Sequence, residues 1–253
     1  GKKNWKTYFW EFFMLFLAVF CGFLAEIQVE HYIEHQRERK YMQMYVEDLR
    51  ADSLRFGRVI ERNKQMLRNL DQLVSLVNSA VFTDSTIVLM YDLYSRGAGF
   101  VNFLYNKRTL SQLRAAGGYK LIRVKEVADS LIARDIDVDW NDWMRQRLHD
   151  NFNNVRDNGV EIFDEYQVYS HRKSLSADID SAIDSVMMPR NAIDPSDAKR
   201  FSLLTNDRLL ISKFSSSVIN FSKVLWRYNR DLISYQRKCH SLIALISKEY
   251  AIE

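Results

Sequence analysis

Residues 8–25, Tyr-Phe-Trp-Glu-Phe-Phe-Met-Leu-Phe-Leu-Ala-Val-Phe-Cys-Gly-Phe-Leu-Ala, contain a single charged side chain, Glu11. At a rise of about 1.5 Å per residue such a helix covers roughly 27 Å, close to a thin hydrocarbon core. Trp5, Tyr8 and Trp10 stand at its N-terminal end, where amphipathic rings favour the headgroup level. A secretory signal peptide is the competing reading. No Ala-x-Ala-like cleavage site follows Ala25, however, and the helical pattern runs straight on into charged residues. The sequence predicts a transmembrane helix that is retained.

Its orientation follows from the flanking charges. Lys2, Lys3 and Lys6 precede the apolar run, whereas Glu26, Glu30 and Glu34 follow it before Arg37, Arg39 and Lys40. The positive-inside rule places Gly1 in the cytoplasm and nearly all of the remainder across the inner membrane, on the periplasmic side. A cytoplasmic tail of about seven residues holds no kinase, cyclase or DNA-binding module, so a signal passed inward goes through a partner. Within the helix, Glu11, Ala18, Gly22 and Ala25 fall within about 60° of one another at 100° per residue. Ala18-x-x-x-Gly22 is a small-xxx-small pair that lets a second transmembrane helix approach, from another copy or from a different subunit. The alternative for Glu11 is that it sits one turn inside the interface and snorkels to the headgroups.

Glycine occurs 8 times and proline twice, where average usage would give roughly 18 and 13. Long uninterrupted helices are the consequence, and sandwiches, barrels and Rossmann-type folds, which need frequent turns, are excluded. From Tyr45 the apolar residues fall into heptad-like order: Leu49, Phe56, Val59, Met66, Leu70, Leu73 and Val77, widened by Ile60, Leu67 and Val74. A helix from Thr7 to Ser79 is expected, about 110 Å long. Shorter helices are expected over Asp84–Tyr94, Lys107–Ala116, Val124–Arg134 and Ser174–Met188, with a loop from Arg190 to Lys199. A long helix from Val138 carries Trp140, Met144, Phe152, Val155, Ile162, Tyr166 and Tyr169 on one side. Another, from Asn206 to Tyr250, carries Leu210, Phe214, Phe221, Leu225, Tyr228, Leu232, Tyr235, Cys239, Leu242 and Ile246. The fold class expected is all-α, with the transmembrane helix continuous with a long helix of an antiparallel extracytoplasmic bundle. Its parts are a tail and membrane helix (1–25), a charged juxtamembrane helix (26–44) and the bundle (45–253).

The apolar helix with a Glu near its start and a small residue near its end is followed by a charged helix. Then comes Thr109-Leu110-Ser111-Gln112-Leu113-Arg114-Ala115-Ala116-Gly117-Gly118-Tyr119-Lys120-Leu121-Ile122. This arrangement resembles a family of uncharacterised bacterial single-pass membrane proteins with a helical extracytoplasmic domain. The likeness covers the first half of the chain, and the Leu-x-x-x-Gly-Gly-x-x-Leu-Ile element is its most specific part. It implies a membrane-anchored bundle and brings no established activity. Read physically, Gly117 or Gly118 ends the preceding helix, and Leu121 and Ile122 return to the core.

The candidate chemistry is sparse. His31-x-x-Glu34-His35 has the His-x-x-Glu-His spacing of inverted zinc peptidases. It lies just beyond the membrane helix without a third ligand, so a solvated helix face is the simpler reading. Asp135-Ile-Asp137-Val-Asp139 has the first half of a calcium loop, but Trp140 stands where glycine is needed and Gln146 where a bidentate Glu is needed. A cap formed by Asp137 or Asp139 accounts for it more simply. Trp140 and Trp143 read as core residues in preference to an aromatic ligand pocket. Cys21 and Cys239 form no disulfide framework or metal spacing. His149, His171 and His240 have no Ser, Cys or Asp at a telling distance. No P-loop, Gly-x-Ser-x-Gly or Gly-x-Gly-x-x-Gly is present, Gly97-Ala98-Gly99 being only a fragment. No cofactor, metal or catalytic set is therefore assigned. The 36 basic and 32 acidic residues are interspersed, leaving no basic face for nucleic acid. What the residues imply is a non-enzymatic interaction or scaffold subunit whose partners are the lipid bilayer and either further copies of itself or other membrane subunits. The alternative is a ligand-sensing bundle that signals through a separate membrane partner.

Overall fold

The computed structural model describes residues 5–96, 100–115, 118–169 and 201–252, with the backbone alone at residues 6, 7 and 118. The described residues are helical and include no strand; an isolated bridge joins Phe163 to Leu203. The elements are α1 (Trp5–Val77), α2 (Asp84–Arg96), α3 (Arg108–Ala115), a 3-10 turn (Gly118–Leu121), α4 (Lys125–Gly159) and α5 (Arg208–Tyr250). The helix expected over 174–188 and the loop over 190–199 lie outside the described residues, as do Gly97-Ala98-Gly99, Gly117 and His171.

The helix starts are set by local polar groups. At α2, Thr86 N–H donates to Thr83 Oγ1 (3.3 Å) and Thr83 N–H donates to Thr86 Oγ1 (2.8 Å), a reciprocal cap. At α5, Asp207 Oδ1 accepts from the N–H of Leu209 at 2.8 Å. The end of α5 is closed by Ala251 in the left-handed region (φ 49°), with the N–H of Ile252 donating to the carbonyl of Ser247.

The helix α4 differs from expectation. It is continuous from Lys125 to Gly159, so Asp135, Asp137 and Asp139 lie in its interior, and neither a cap nor a calcium loop forms there. Asp137 instead accepts from Lys238 Nζ at 2.8 Å. Its seam matches the expected one only in part: Met144, Val155 and, past its end, Ile162 are buried as expected. Val138, Asn141, Met144 and Leu148 are buried, whereas Trp140, Trp143, Tyr166 and Tyr169 are exposed.

The chain divides into two compact units, and α1, α4 and α5 each contribute to both. One unit comprises Gly1–Arg50, Asn106–Ile132 and Ser241–Glu253. Its core is formed by Met42, Tyr45, Val46 and Leu49 with Leu110, Leu113, Ile122, Val127, Leu131, Leu242 and Ile246. Two buried carboxylates of α1 hold this unit's shorter segments. Asp48 accepts from the Thr109 N–H (3.1 Å), Thr109 Oγ1 (2.5 Å), Asn106 Nδ2 (2.6 Å) and Arg108 Nη2 (3.0 Å), so a side chain of one helix caps the start of another. Glu38 accepts from the Arg123 N–H at 2.7 Å, just before α4 begins, and from Tyr250 Oη at 2.5 Å.

The other unit comprises Ala51–Tyr105 and Ala133–His240. The expected stripes of α1 and α5 form its core: Phe56, Ile60, Met66, Leu70, Leu73 and Val77 are buried, as are Phe214, Phe221, Leu225, Tyr228, Leu232 and Cys239. Aromatic pairs fill the space between. Phe56 stacks on Phe103 with ring centroids 3.8 Å apart, and Tyr94 stacks on Phe163 at 4.4 Å. A buried ion pair, Arg134 Nη2 to Asp52 Oδ2 at 3.1 Å, lies within this core, with the guanidinium 4.6 Å from the Tyr105 ring.

Candidate functional site

Two surfaces stand out. The first is the N-terminal part of α1. Its 18-residue window has a mean hydropathy of 2.2, and none of that window is buried. Tyr8 to Ile33 is exposed throughout, and the first buried residue of the helix is Glu38. At roughly 1.5–3 kcal/mol for each large apolar side chain left in water, this surface amounts to tens of kcal/mol. Such a sum exceeds the 5–15 kcal/mol by which a whole domain is ordinarily stable. The rings along it stack on one another: Phe12 on Phe16 (6.4 Å) and Phe16 on Phe20 (6.0 Å). Glu11, Ala18, Gly22 and Ala25 are all exposed on this helix, and a Cβ built on Gly22 meets no atom within 4 Å.

The second surface is a groove of about 400 Å3, open to solvent on one side. Its lining is Trp140, Trp143, Met144 and Arg147 from α4 and Lys223, Val224 and Arg227 from α5. The α4 residues are three, four and seven positions apart and so share one helical face. The two indoles lie 4.8 Å apart and are tilted by 35°. Trp140 Nε1 donates to Asp231 Oδ2 at 3.1 Å, which fixes that ring. The guanidinium of Arg147 lies 5.4 Å from the Trp143 ring and that of Arg227 lies 6.0 Å from the Trp140 ring. Trp140 is 38% and Trp143 49% exposed, so neither is a core residue as the helical spacing suggests. Met144, 2% exposed, forms the floor.

No family model, curated protein or solved structure matches the chain. What these surfaces do is therefore argued from their own chemistry.

The other residues singled out in the sequence are placed as follows. His31 Nδ1 lies 4.0 Å from Glu34 and His35 Nδ1 lies 3.6 Å from Glu38, while Arg123 Nη2 lies 3.9 Å from Glu34 and donates to the His31 carbonyl at 3.0 Å. A metal site here would need Glu34, which has the Arg123 guanidinium beside it. No group of three or more His, Cys, Asp or Glu among the described residues is placed to hold one. His240 Nε2 is 2.6 Å from Ser53 Oγ, and His149 Nδ1 is 3.1 Å from Asn153 Nδ2. Cys239 is fully buried, and loss of hydration pushes its thiol up to about 11. Burial likewise pushes the Tyr228 hydroxyl up to about 12, against the opposing effect of the Phe103 N–H that it accepts at 2.8 Å. Gly118 opens the 3-10 turn, after which Ile122 is buried and Leu121 half-buried.

The cationic groove is what the sequence reading misses. Its signal is present: two tryptophans three apart with an arginine four beyond, and Lys223 and Arg227 four apart on another helix. Nothing local, however, shows that these two sets meet.

Proposed function

We propose that this chain is a membrane-anchored, non-catalytic interaction subunit. Residues 8–25 of α1 cross the inner membrane with the N-terminus in the cytoplasm, and α1 continues into an antiparallel helical bundle on the periplasmic side. The observation that carries this reading is the apolar window of α1, as hydrophobic as a membrane span and wholly unburied. A core helix of a water-soluble protein would have that surface covered. A leader to be removed would have no reason to continue unbroken to Val77 through the residues that build the core. Lys2, Lys3 and Lys6 ahead of the span support the orientation. The antiparallel arrangement of α1 and α5 is supported within the unit of residues 51–105 and 133–240, where Ser53 bonds to His240 and Asn78 to Ser215. As numbers rise along α1 they fall along α5. The Glu11, Ala18, Gly22 and Ala25 stripe is where a second membrane helix packs, from another copy or from a different subunit. The resemblance carried by residues 109–122 points to the same anchored class.

The test is fractionation of the full chain from cells. It is expected to remain in the membrane pellet through an alkaline carbonate wash and to retain residues 1–25 by intact mass. Release into the wash, or a mature mass lacking those residues, overturns the anchor.

A further inference from the structure

We propose that the groove between the Trp140–Arg147 face of α4 and Lys223 and Arg227 of α5 binds an acidic polypeptide segment bearing an apolar anchor side chain. This deepens the interaction reading by naming the chemistry of the partner and the surface that receives it.

Charge is the first argument. Arg147, Lys223 and Arg227 converge on one groove, and none of the three makes an ion pair among the described residues. Three like charges within two helical turns repel one another, and a carboxylate-bearing ligand relieves that repulsion. Guanidinium groups also pair bidentately with carboxylates, which adds direction to the attraction.

The apolar surface gives the second argument. Two half-exposed indoles above a methionine floor form a slot for one or two side chains, and tryptophan with arginine is the pairing that dominates the energetics of protein interfaces. The Asp231 bond holds Trp140 in place before any ligand arrives, so little side-chain freedom is lost on binding.

The chemistry of the lining also discriminates among anions. Among the described residues, no carboxylate, amide or hydroxyl side chain lines the groove to receive the hydroxyls of a sugar. Three cations on two helices make a patch and not the extended track that follows a nucleic-acid backbone. An acidic peptide, whose carboxylates and apolar side chains alternate over short distances, fits both halves of the lining.

The experiment uses the full chain in nanodiscs of neutral phosphatidylcholine and measures the anisotropy of a labelled random copolymer of glutamate and tyrosine. Polyglutamate, heparin and oligothymidylate serve as comparisons. Saturable, salt-sensitive binding of the copolymer is expected, stronger than that of any comparison. The double variant Arg147→Glu, Arg227→Glu is expected to weaken it by about tenfold or more. Both side chains are exposed, so the variant is expected to keep its helical circular dichroism. The double variant Arg156→Glu, Lys248→Glu, at two exposed cations outside the groove lining, changes the charge by the same amount and is expected to bind as the parent does. Absence of binding, tighter binding of heparin or oligothymidylate, or equal loss in the Arg156→Glu, Lys248→Glu control overturns the proposal. Retention of the chain in membranes is a separate measurement, so failure of docking and failure of anchoring are distinguished.

Discussion

Ala251 is the residue after the last turn of α5, and its φ of 49° places a Cβ where only glycine is free of strain. The Ile252 N–H to Ser247 carbonyl bond, 3.1 Å, requires that turn. Ala251→Gly is therefore expected to raise stability by about 0.5–1 kcal/mol, read as a higher denaturation midpoint, and a fall would show that the methyl group is needed for packing. Cys239 and Tyr228 make a pH prediction. Both have pKa values raised by burial, to about 11 and about 12, so the folded state favours their neutral forms. Their stabilising contribution is fully present below the unfolded pKa values, near 9 and 10, and is lost as pH rises toward the folded values. Stability is expected to be flat across neutral pH and to fall above about pH 9 by roughly 1.4 kcal/mol per pH unit for each group that titrates. Denaturation midpoints measured across that window test the sign, and a rise with pH would refute it. At this scale the sequence was only partly legible. The buried stripes of α1 and α5 were read correctly because their core positions are nearly all apolar. The α4 seam is legible at Met144 and Val155 but not throughout, because Arg134 and Asn141 stand at buried positions while Trp140 and Trp143 stand outside.

Single carboxylates organise the elements. α3 is eight residues long, too short to be stable from its own hydrogen bonds. Asp48 supplies acceptors to its first turn and to Asn106 and Arg108 at once. Asp48→Ala removes every one of those acceptors from a site where the carboxylate is buried, and the expected loss is about 2–3 kcal/mol. Asp48→Asn keeps the geometry and one strong acceptor, so a smaller loss is expected. Denaturation of the two variants side by side checks the order, and equal losses would show that the charge, not the acceptor geometry, holds α3. The ends of α2 and α5 are legible to within two residues, and the groups that close their starts, Thr83 with Thr86, and Asp207, lie beside those turns in sequence. Asp48 is sixty positions from the helix that it caps. Its only mark in the sequence is an acidic residue among Tyr45, Leu49 and Phe56, one of two, with Asp52, on the buried side of an otherwise apolar stripe. The same distance explains the break expected before Val138. Acidic residues at 135, 137 and 139 resemble a cap when read alone, but the helix runs through them and Asp137 instead accepts from Lys238, far along the chain.

For the whole molecule, the decisive quantity is the apolar surface that the chain cannot cover by itself. That surface is contiguous in sequence, so it was the most legible feature; the Trp140–Arg227 groove, assembled from two helices, was the least. In the proposed anchor, lipid removes the energetic penalty of the exposed span but gives no hydrophobic drive for helices to associate inside the bilayer, because acyl chains are as apolar as the side chains. Association there depends on how closely two backbones approach. On the proposed span of α1 a neighbouring helix would approach most closely along Ala18, Gly22 and Ala25, where space at Gly22 is open. Phe12, Phe16 and Phe20 project from other parts of the helix and keep a neighbour away. Gly22→Leu is thus expected to reduce self-association or subunit capture in native membranes by roughly tenfold, equivalent to the 1–2 kcal/mol typical of membrane helix contacts. Phe16→Leu, an apolar change away from the stripe, is expected to leave it unchanged. Chemical cross-linking of the full chain in membranes reads both variants under the same conditions. A Gly22→Leu protein that cross-links as the parent does would place the contact on another face of α1, while leaving the anchor itself intact.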